Sequence, residues 1–304
     1  MFDVVTGSFG YIGRYITREL LNAGREVITI TTHPQKPDPF GDRVKAYPYS
    51  FADPDLLVKT LRGASTLYNT YWIRFPFAGI TFEDALRNTA TLFDCAGKSG
   101  IQKIVHVSVT HASEQSNLPY YRGKGVQERL LAEASVPYAI VRPTLVFGKE
   151  DILVNNIAWL IRRFPIFPIF GSGCYKVQPV YVGDLAAIAV AQANEPESTV
   201  DAIGEETFSF EEMVRLMISR LNPHSRLVHM SPGLGIFCGK IIGCFRNDIL
   251  LTAGELAGLM QSLLTSDQKP NGVTRFSDWL QSNKETLGSS YSSELDRHFR
   301  WSPS

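Results

Sequence analysis

Three glycines at a constant step of three residues, Gly7, Gly10 and Gly13, follow the first apolar run of the chain in the stretch TGSFGYIG. Glycine permits tight backbone angles and has no Cβ atom, so main-chain N–H groups can approach an anion closely. A helix that begins there adds the partial positive charge of its N-terminus. The spacing therefore predicts a turn that binds the pyrophosphate of a dinucleotide. The alternative is a glycine-rich turn that binds nothing.

A tyrosine and a lysine four residues apart, Tyr120 and Lys124, occur in the stretch PYYRGKG. On a helix this spacing places both side chains on one face. A nearby ammonium group favours the phenolate and lowers the pKa of a tyrosine, which is about 10 without such help. The pair therefore predicts an acid–base centre that works near neutral pH. The alternative is a half-buried aromatic ring beside a solvated lysine, and Tyr121 leaves the register of the pair open.

Alternating strand-like and helix-like segments fill the first half of the chain and must position these residues. The segments FDVVTG, EVITITT and KIVHVSVT are typical of strands, and IGRYITRELLNAG is typical of a helix. Such alternation predicts an α/β fold, a Rossmann-type doubly wound parallel sheet, with a smaller and mostly helical C-terminal domain. We expect the dinucleotide-binding domain at 1–148 and 178–203, and the smaller substrate or partner domain at 149–177 and 204–304.

The composition argues against several classes of protein. The 30 basic residues balance the 30 acidic ones, which argues against a nucleic-acid partner. No apolar run reaches the roughly 18 residues that a membrane span needs. The four cysteines are scattered without a CxxC pair, so we expect reduced thiols, no metal site and a cytoplasmic location.

Four stretches of the chain together resemble the extended short-chain dehydrogenase/reductase superfamily, of the NAD-dependent epimerase/dehydratase type. They are TGSFGYIG, PYYRGKG, IVRPTLVFG and VQPVYVGDLA. A narrower resemblance is to the atypical branch that contains the nucleotide-binding accessory subunit of mitochondrial complex I. It rests on IVHVSVT, YYRGKGVQERLL, FGKEDILVNNIA, KVQPVYVGDLA and ELDRHFRW.

The resemblance implies roles for three catalytic side chains. Tyr120 is expected to act as the acid–base group, and Lys124 to lower its pKa and hold the ribose of the cofactor. The family's third member is a serine or threonine, but Val109 occupies its usual position here. We expect Thr110 to supply the hydroxyl, with Ser108 as the alternative, or the hydroxyl to be absent.

The resemblance also implies a set of cofactor-binding residues: Gly7, Ser8, Phe9, Gly10, Tyr11, Ile12, Gly13, Arg14, Thr32, His33, Asn69, Lys124 and Pro143. An acidic residue at the end of the second strand would bind the ribose 2′-hydroxyl of NAD. Thr32 and His33 occupy that place instead, and Arg14 and Lys36 could meet a 2′-phosphate. We therefore expect NADP as the cofactor, with NAD as the alternative.

Two classes of function follow from these expectations. The first is an NAD(P)-dependent oxidoreductase, reductase or epimerase that acts on a small alcohol or carbonyl substrate. The second is a non-catalytic scaffold or redox sensor that binds NADP(H) structurally. Partners on either reading are a second copy of the chain or a membrane complex, and the apolar segment at 234–245 is a third, weaker indication of docking.

Overall fold

The computed structural model describes residues 1–233, 247–249 and 251–298. The docking segment expected at 234–245 therefore lies outside the described residues, as does the end of ELDRHFRW. Within the described ranges, no helix combines the length and the apolar character needed to cross a bilayer.

The strands are β1 Phe2–Thr6, β2 Glu26–Thr31, β3 Val44–Pro48, β4 Ala64–Asn69, β5 Lys103–Val107, β6 Tyr138–Pro143, β7 Leu145–Phe147, β8 Ile166–Phe170, β9 Lys176–Val177, β10 Pro179–Tyr181, β11 Ser198–Ala202, β12 Phe208–Ser209 and β13 Arg226–Met230. The helices are α1 Tyr11–Asn22, α2 Pro54–Leu61, α3 Phe82–Ser99, α4 Pro119–Ala132, α5 Leu153–Arg163, α6 Val182–Ala191, α7 Phe210–Leu221, α8 Ala253–Met260, α9 Phe276–Asn283 and α10 Glu294–His298.

The described chain divides into two compact units. Unit 1 comprises Met1–Pro143 and Leu185–Ala202, and unit 2 comprises Thr144–Asp184 and the described residues from Ile203 onward. Unit 1 contains a seven-stranded sheet in the order β11-β6-β5-β4-β1-β2-β3. Every neighbouring pair in this sheet is parallel. The predicted Rossmann-type parallel sheet is therefore confirmed.

Local sequence explains where the helices of unit 1 begin and end. Asp53 caps α2 by accepting a hydrogen bond from the Leu56 N–H, with Pro54 in the first turn. Thr81 and Asp84 form a capping box at the start of α3, and Gly100 ends that helix in the left-handed conformation. The core of this unit contains aliphatic strand residues, which include Val4, Ile30, Leu67, Ile104 and Ile140.

Unit 2 has three two-stranded sheets, formed by β7 with β10, β9 with β12, and β8 with β13. Its core is aromatic and aliphatic, with Phe147 and Phe276 fully buried in contact. Buried and partly buried polar side chains attach its C-terminal segments. Asn155 contacts Ser290 O and the Gly288 N–H, and Asp184 accepts from the Thr274 N–H. The assignment of this unit to a substrate or partner stays a prediction.

Candidate active site

The turn between β1 and α1 has the geometry that its glycines predict. Gly7 has a φ of +66°, in the left-handed region that favours glycine, and its N–H donates to Ile30 O at 2.9 Å. The Gly10 N–H donates to Gly7 O at 2.8 Å, which closes the turn. Gly10 is also the N-cap of α1, and no side chain of the described residues caps this helix end. The main-chain N–H groups at this end of α1 therefore lie at the mouth of the turn.

Gly13 lets the first turn of α1 press against the end of β1. A Cβ atom at this position would lie 2.4 Å from Gly7 O and 3.0 Å from Thr6 O, distances that real Cβ atoms do not show. The first turn of α1 also contains no acidic residue. A helix N-terminus with bare glycine at its cap and no negative charge nearby fits an anion such as a pyrophosphate.

The other predicted residues of this turn are held by internal contacts. Ser8 is fully buried, its N–H donates to Thr29 Oγ1, and its hydroxyl accepts from Thr17. The Arg14 guanidinium donates to Phe9 O at 3.3 Å, which keeps its charge at the start of α1. Two further predicted residues lie in the first turn and are partly exposed: Tyr11 and Ile12.

No carboxylate stands at the end of β2. Thr32 is exposed directly after the strand, and the His33 N–H donates to Thr31 Oγ1 at 3.2 Å. The first acidic residue after the strand is Asp38, whose two oxygens accept from the N–H groups of Phe40 and Val44. Asp38 therefore stabilises its own loop.

The ends of β1, β4 and β5 are joined by buried polar side chains. The Thr70 N–H donates to Thr6 Oγ1 at 2.6 Å, and the Thr70 hydroxyl donates to Thr6 O at 2.6 Å. Asn69 is fully buried, and its Oδ1 accepts from the Tyr71 N–H at 3.1 Å. Asn69 Nδ2 donates to His106 Nδ1 at 3.0 Å, because the amide oxygen is already occupied. Asn69 thus stabilises the main chain directly after β4.

His106 is held as a neutral imidazole beneath this edge of the sheet. Burial lowers its pKa well below the usual value, and the positive charge of Lys124 lowers the pKa further. With Nδ1 accepting from Asn69, the proton lies on Nε2, a buried atom with no hydrogen-bond partner among the described residues. No role for His106 was expected from the sequence.

The predicted acid–base pair lies on α4. Lys124 is buried, and its ammonium donates to Val107 O at 2.9 Å. Burial lowers the pKa of Lys124 to about 7, and the negative charge of Glu128 opposes this effect. Tyr120 is partly exposed, and its ring centroid lies 6.3 Å from that of Trp72. The helix therefore presents a reachable phenol and an ammonium with a low pKa on one face.

The three residues after β5 include both candidates for the third catalytic hydroxyl, Ser108 and Thr110. The strand ends at Val107, so strand alternation does not decide where 108–110 point. The Ser108 hydroxyl donates to Glu128 at 2.5 Å and is thereby committed to that carboxylate. The Thr110 hydroxyl is buried and lies 3.4 Å from Pro143 O, which also accepts the Thr110 N–H.

Glu128 also forms an ion pair with Arg142, whose Nε lies 2.8 Å from Glu128 Oε1. Arg142 therefore has a structural partner. Among the described residues, no group of three or more His, Cys, Asp or Glu side chains is arranged to hold a metal ion. Sequence reasoning gave no catalytic or cofactor-binding role to several residues near Lys124. Trp72 and His106 come from distant segments that the fold brings to it, and Gln127 and Glu128 lie on the same helix.

Comparison with known proteins agrees with this geometry. Residues 4–204 match the model of the NAD dependent epimerase/dehydratase family. Two relatives are the protein named NADH dehydrogenase (ubiquinone) 1 alpha subcomplex subunit 9, mitochondrial. The one from Arabidopsis thaliana is 27% identical over 74% of this chain and 59% of its own length. The one from Rattus norvegicus is 30% identical over 68% of this chain and 55% of its own length. The match thus spans less than two thirds of either relative.

Solved structures with this fold include a nucleoside-diphosphate-sugar epimerase from Staphylococcus aureus, with a TM-score of 0.71, 17% identity, and coverage of 98% of this chain and 99% of that one. Another is the Citrobacter sp. triphenylmethane reductase complexed with NADP(H), with a TM-score of 0.66, 18% identity, and coverage of 93% and 99%. The expected resemblances to the extended superfamily and to the complex I subunit are confirmed. This chain belongs to the NAD dependent epimerase/dehydratase family.

Proposed function

We propose that this protein binds NADP(H) and acts as an oxidoreductase or epimerase on a small alcohol or carbonyl compound, with Tyr120 as the acid–base group. The single observation that carries the proposal is the turn between β1 and α1. There the N-terminus of α1 has no side-chain cap and no acidic residue in its first turn, and it begins beside Gly7 and Gly10. Family membership supports the same ligand.

Two features favour NADP(H) over NAD(H). Asp38 is bound to the N–H groups of its own loop, so no acidic side chain is available at the end of β2 for a ribose 2′-hydroxyl. The Arg14 guanidinium is held at the start of α1 by Phe9 O, where a cation suits a 2′-phosphate. Among proteins with this fold, the Citrobacter reductase has been solved with NADP(H), and a dTDP-glucose 4,6-dehydratase from Streptomyces venezuelae has been solved with NAD.

The chemistry proposed for α4 follows from its two polar groups. A bound nicotinamide would accept or supply a hydride, while the Tyr120 hydroxyl holds or releases the proton on the substrate oxygen. Lys124 keeps positive charge near the phenol and would bind the ribose. The Thr110 hydroxyl is the remaining candidate for orienting the substrate, because the Ser108 hydroxyl is committed to Glu128.

A second function is favoured by a specific observation. Val109 stands where the family usually has its hydroxyl, and Ser108 beside it is bound to a carboxylate. A site without that hydroxyl would hold the dinucleotide without turning it over. The relatives from Arabidopsis and rat are named as subunits of a mitochondrial NADH dehydrogenase. On this alternative the protein is a dinucleotide-binding scaffold or redox sensor with a protein partner. The cytoplasmic location and a homodimer stay predictions.

Calorimetric titration with NADPH and NADH tests the shared part of both functions. We expect NADPH to bind more tightly, and Gly10→Ala to weaken it by about tenfold or more, since the new Cβ would lie 3.1 Å from Gly7 O at the mouth of the turn. Gly254→Ala is the matched control, because its Cβ meets nothing within 4 Å. Failure of the wild type to bind either dinucleotide would overturn the proposal.

Turnover separates the two functions. We expect NADPH oxidation by the wild type with one of a panel of aldehydes, ketones and quinones, and its loss in Tyr120→Phe with the affinity for NADPH retained. Tight binding without turnover of any compound, and an unchanged Tm shift on NADPH addition in Tyr120→Phe, would instead support the scaffold.

A further inference from the structure

Gly123, within α4, lies in close contact with one aromatic side chain, that of Trp72. A Cβ atom on Gly123 would lie 2.5 Å from both Cη2 and Cζ2 of Trp72. Glycine inside a helix is unfavourable relative to alanine, so its presence one residue before Lys124 requires a reason. Contact with the indole supplies that reason, because only a residue without a side chain lets the Cη2 and Cζ2 atoms of the ring lie so close to α4.

Trp72 is itself firmly held. The preceding residue, Tyr71, donates its N–H to Asn69 Oδ1 and accepts at its carbonyl from Gln127 Nε2 at 3.3 Å. The indole stacks on Phe82, with centroids 5.5 Å apart and planes inclined by 22°. The main chain before Trp72 is therefore fixed by two hydrogen bonds, and the ring itself packs on Phe82.

The Trp72 indole packs close to the ammonium group of Lys124. Lys124 Nζ lies 5.4 Å from the centroid of the Trp72 ring, within the range of a cation–π contact. On its other side the ammonium donates to Val107 O at 2.9 Å. The Lys124 side chain is 3% exposed, so the carbonyl and the ring leave it little freedom.

We propose that Trp72 is a positioning residue for Lys124, and that the affinity for NADP(H) depends on the fit between its indole and Gly123. The proposal rests on the proposed function, because Lys124 is the residue expected to bind the ribose. Trp72 acts through Lys124 and needs no contact of its own with the dinucleotide.

The protonation of Lys124 supports this role. Burial lowers its pKa to about 7, and the indole forms part of the cover that keeps water away. Glu128 on α4 acts on the pKa of Lys124, and the charge of Lys124 in turn lowers the pKa of His106 on β5. Removal of the indole admits water to the ammonium, so the pKa of Lys124 should rise while these two neighbours stay in place.

A double-mutant cycle in the full chain tests the fit, with NADPH titrations of the wild type, Gly123→Ala, Trp72→Leu and the double variant. We expect Gly123→Ala to lower the affinity by about tenfold or more in the wild-type background, and to cost nothing further once Trp72 is leucine. Gly97→Ala is the matched control, since its Cβ would make an ordinary 3.5 Å contact with Val136.

The pH dependence of NADPH binding gives a readout that loss of packing alone would not move. We expect its midpoint to move to higher pH in Trp72→Leu and to stay near the wild-type value in Trp72→Phe, whose ring still covers the ammonium. This comparison holds even if Gly123→Ala does not fold.

Equal losses of affinity from Gly123→Ala in both backgrounds, or an unchanged pH midpoint in Trp72→Leu, would overturn the inference alone. Absence of NADPH binding by the wild type would overturn the proposed function and the inference with it.

Discussion

Buried polar side chains occur in both units, but their partners differ. In unit 2, Asn155 and Asn156 bind main-chain groups of the C-terminal segments. At the strand ends of unit 1 the partners also include other side chains, such as His106 for Asn69 and Glu128 for Ser108, and Trp72 Nε1 and His106 Nε2 are buried with no hydrogen-bond partner in the described part of the chain.

This difference shows what each set of polar groups does. A buried side chain that satisfies main-chain groups stabilises a loop and leaves nothing for a ligand to bind. Polar atoms left without partners cost stability, and in folded proteins such atoms call for a specific explanation such as a bound ligand or an ordered water. Two such atoms, Trp72 Nε1 and His106 Nε2, lie in unit 1 beside Lys124, which is where the proposed function places the ribose, and the Tyr175 hydroxyl is a further one in unit 2.

The largest expected effect is that of Gly13→Ala, which should prevent unit 1 from folding. Its Cβ would lie 2.4 Å from a main-chain oxygen that cannot move aside, a clash worth roughly 3 kcal/mol or more. The measurement is thermal unfolding of the soluble protein, with Gly97→Ala as control. A Tm equal to that of the wild type would show that the turn is looser than described.

Lys124→Met should remove a strong pH dependence of stability. The pKa of Lys124 falls from 10.5 in the unfolded chain to about 7 in the fold, so between these values the unfolded chain holds the proton more tightly. Stability of the wild type therefore decreases as the pH falls through this range, by roughly 5 kcal/mol in all. Urea unfolding across the range should show a flatter profile for the variant. Parallel profiles would contradict the burial of a titrating ammonium.

Glu128→Gln compares an enclosed ion pair with an exposed one. Loss of the charge leaves Arg142 and Ser108 poorly paired, and we expect a loss of about 2–3 kcal/mol in the free energy of unfolding. In unit 2, Glu211→Gln removes the partner of a mostly exposed Arg215 and should cost less than about 1 kcal/mol. Denaturant titrations measure both. Equal losses of stability in the two variants would show that the enclosed ion pair contributes no more than the exposed one.

The last comparison separates stability from binding. Asn155→Ala breaks contacts with Ser290 and Gly288, and Asn69→Ala breaks contacts with Tyr71 and His106. Both should cost about 1–3 kcal/mol of stability. Only Asn69→Ala should also weaken NADPH binding, as measured by calorimetry. A loss of affinity in Asn155→Ala would show that the two sets of polar groups are not functionally distinct.

Much of unit 1 was predictable because its signals are local. Strand–helix alternation, the step of three between Gly7, Gly10 and Gly13, and the caps at Asp53 and Gly100 each lie within a few residues. The side chains around Lys124 could not be predicted this way. Trp72 and Gly123, or Ser108 and Arg142, meet only when distant segments fold together, and no single-sequence pattern records such a match.

The third hydroxyl shows the same limit at closer range. The sequence favours Thr110 and keeps Ser108 as the alternative, since each is one residue from the expected position. The end of β5 at Val107 and the carboxylate of Glu128 separate them in the structure. Likewise, the sequence does not predict β11, Ser198–Ala202, because its polar residues resemble those of a loop. Only its pairing with β6 shows that it is a strand.

The position of β11 at the end of the seven-stranded sheet has a consequence for biosynthesis. Six strands emerge from the ribosome before the chain enters unit 2, and β11 returns to pair with β6 only after Thr144–Asp184 has been made. Until then β6 has an open edge that other nascent chains could join. Truncation after Pro143 would make that transient edge permanent, and the shortened product should aggregate.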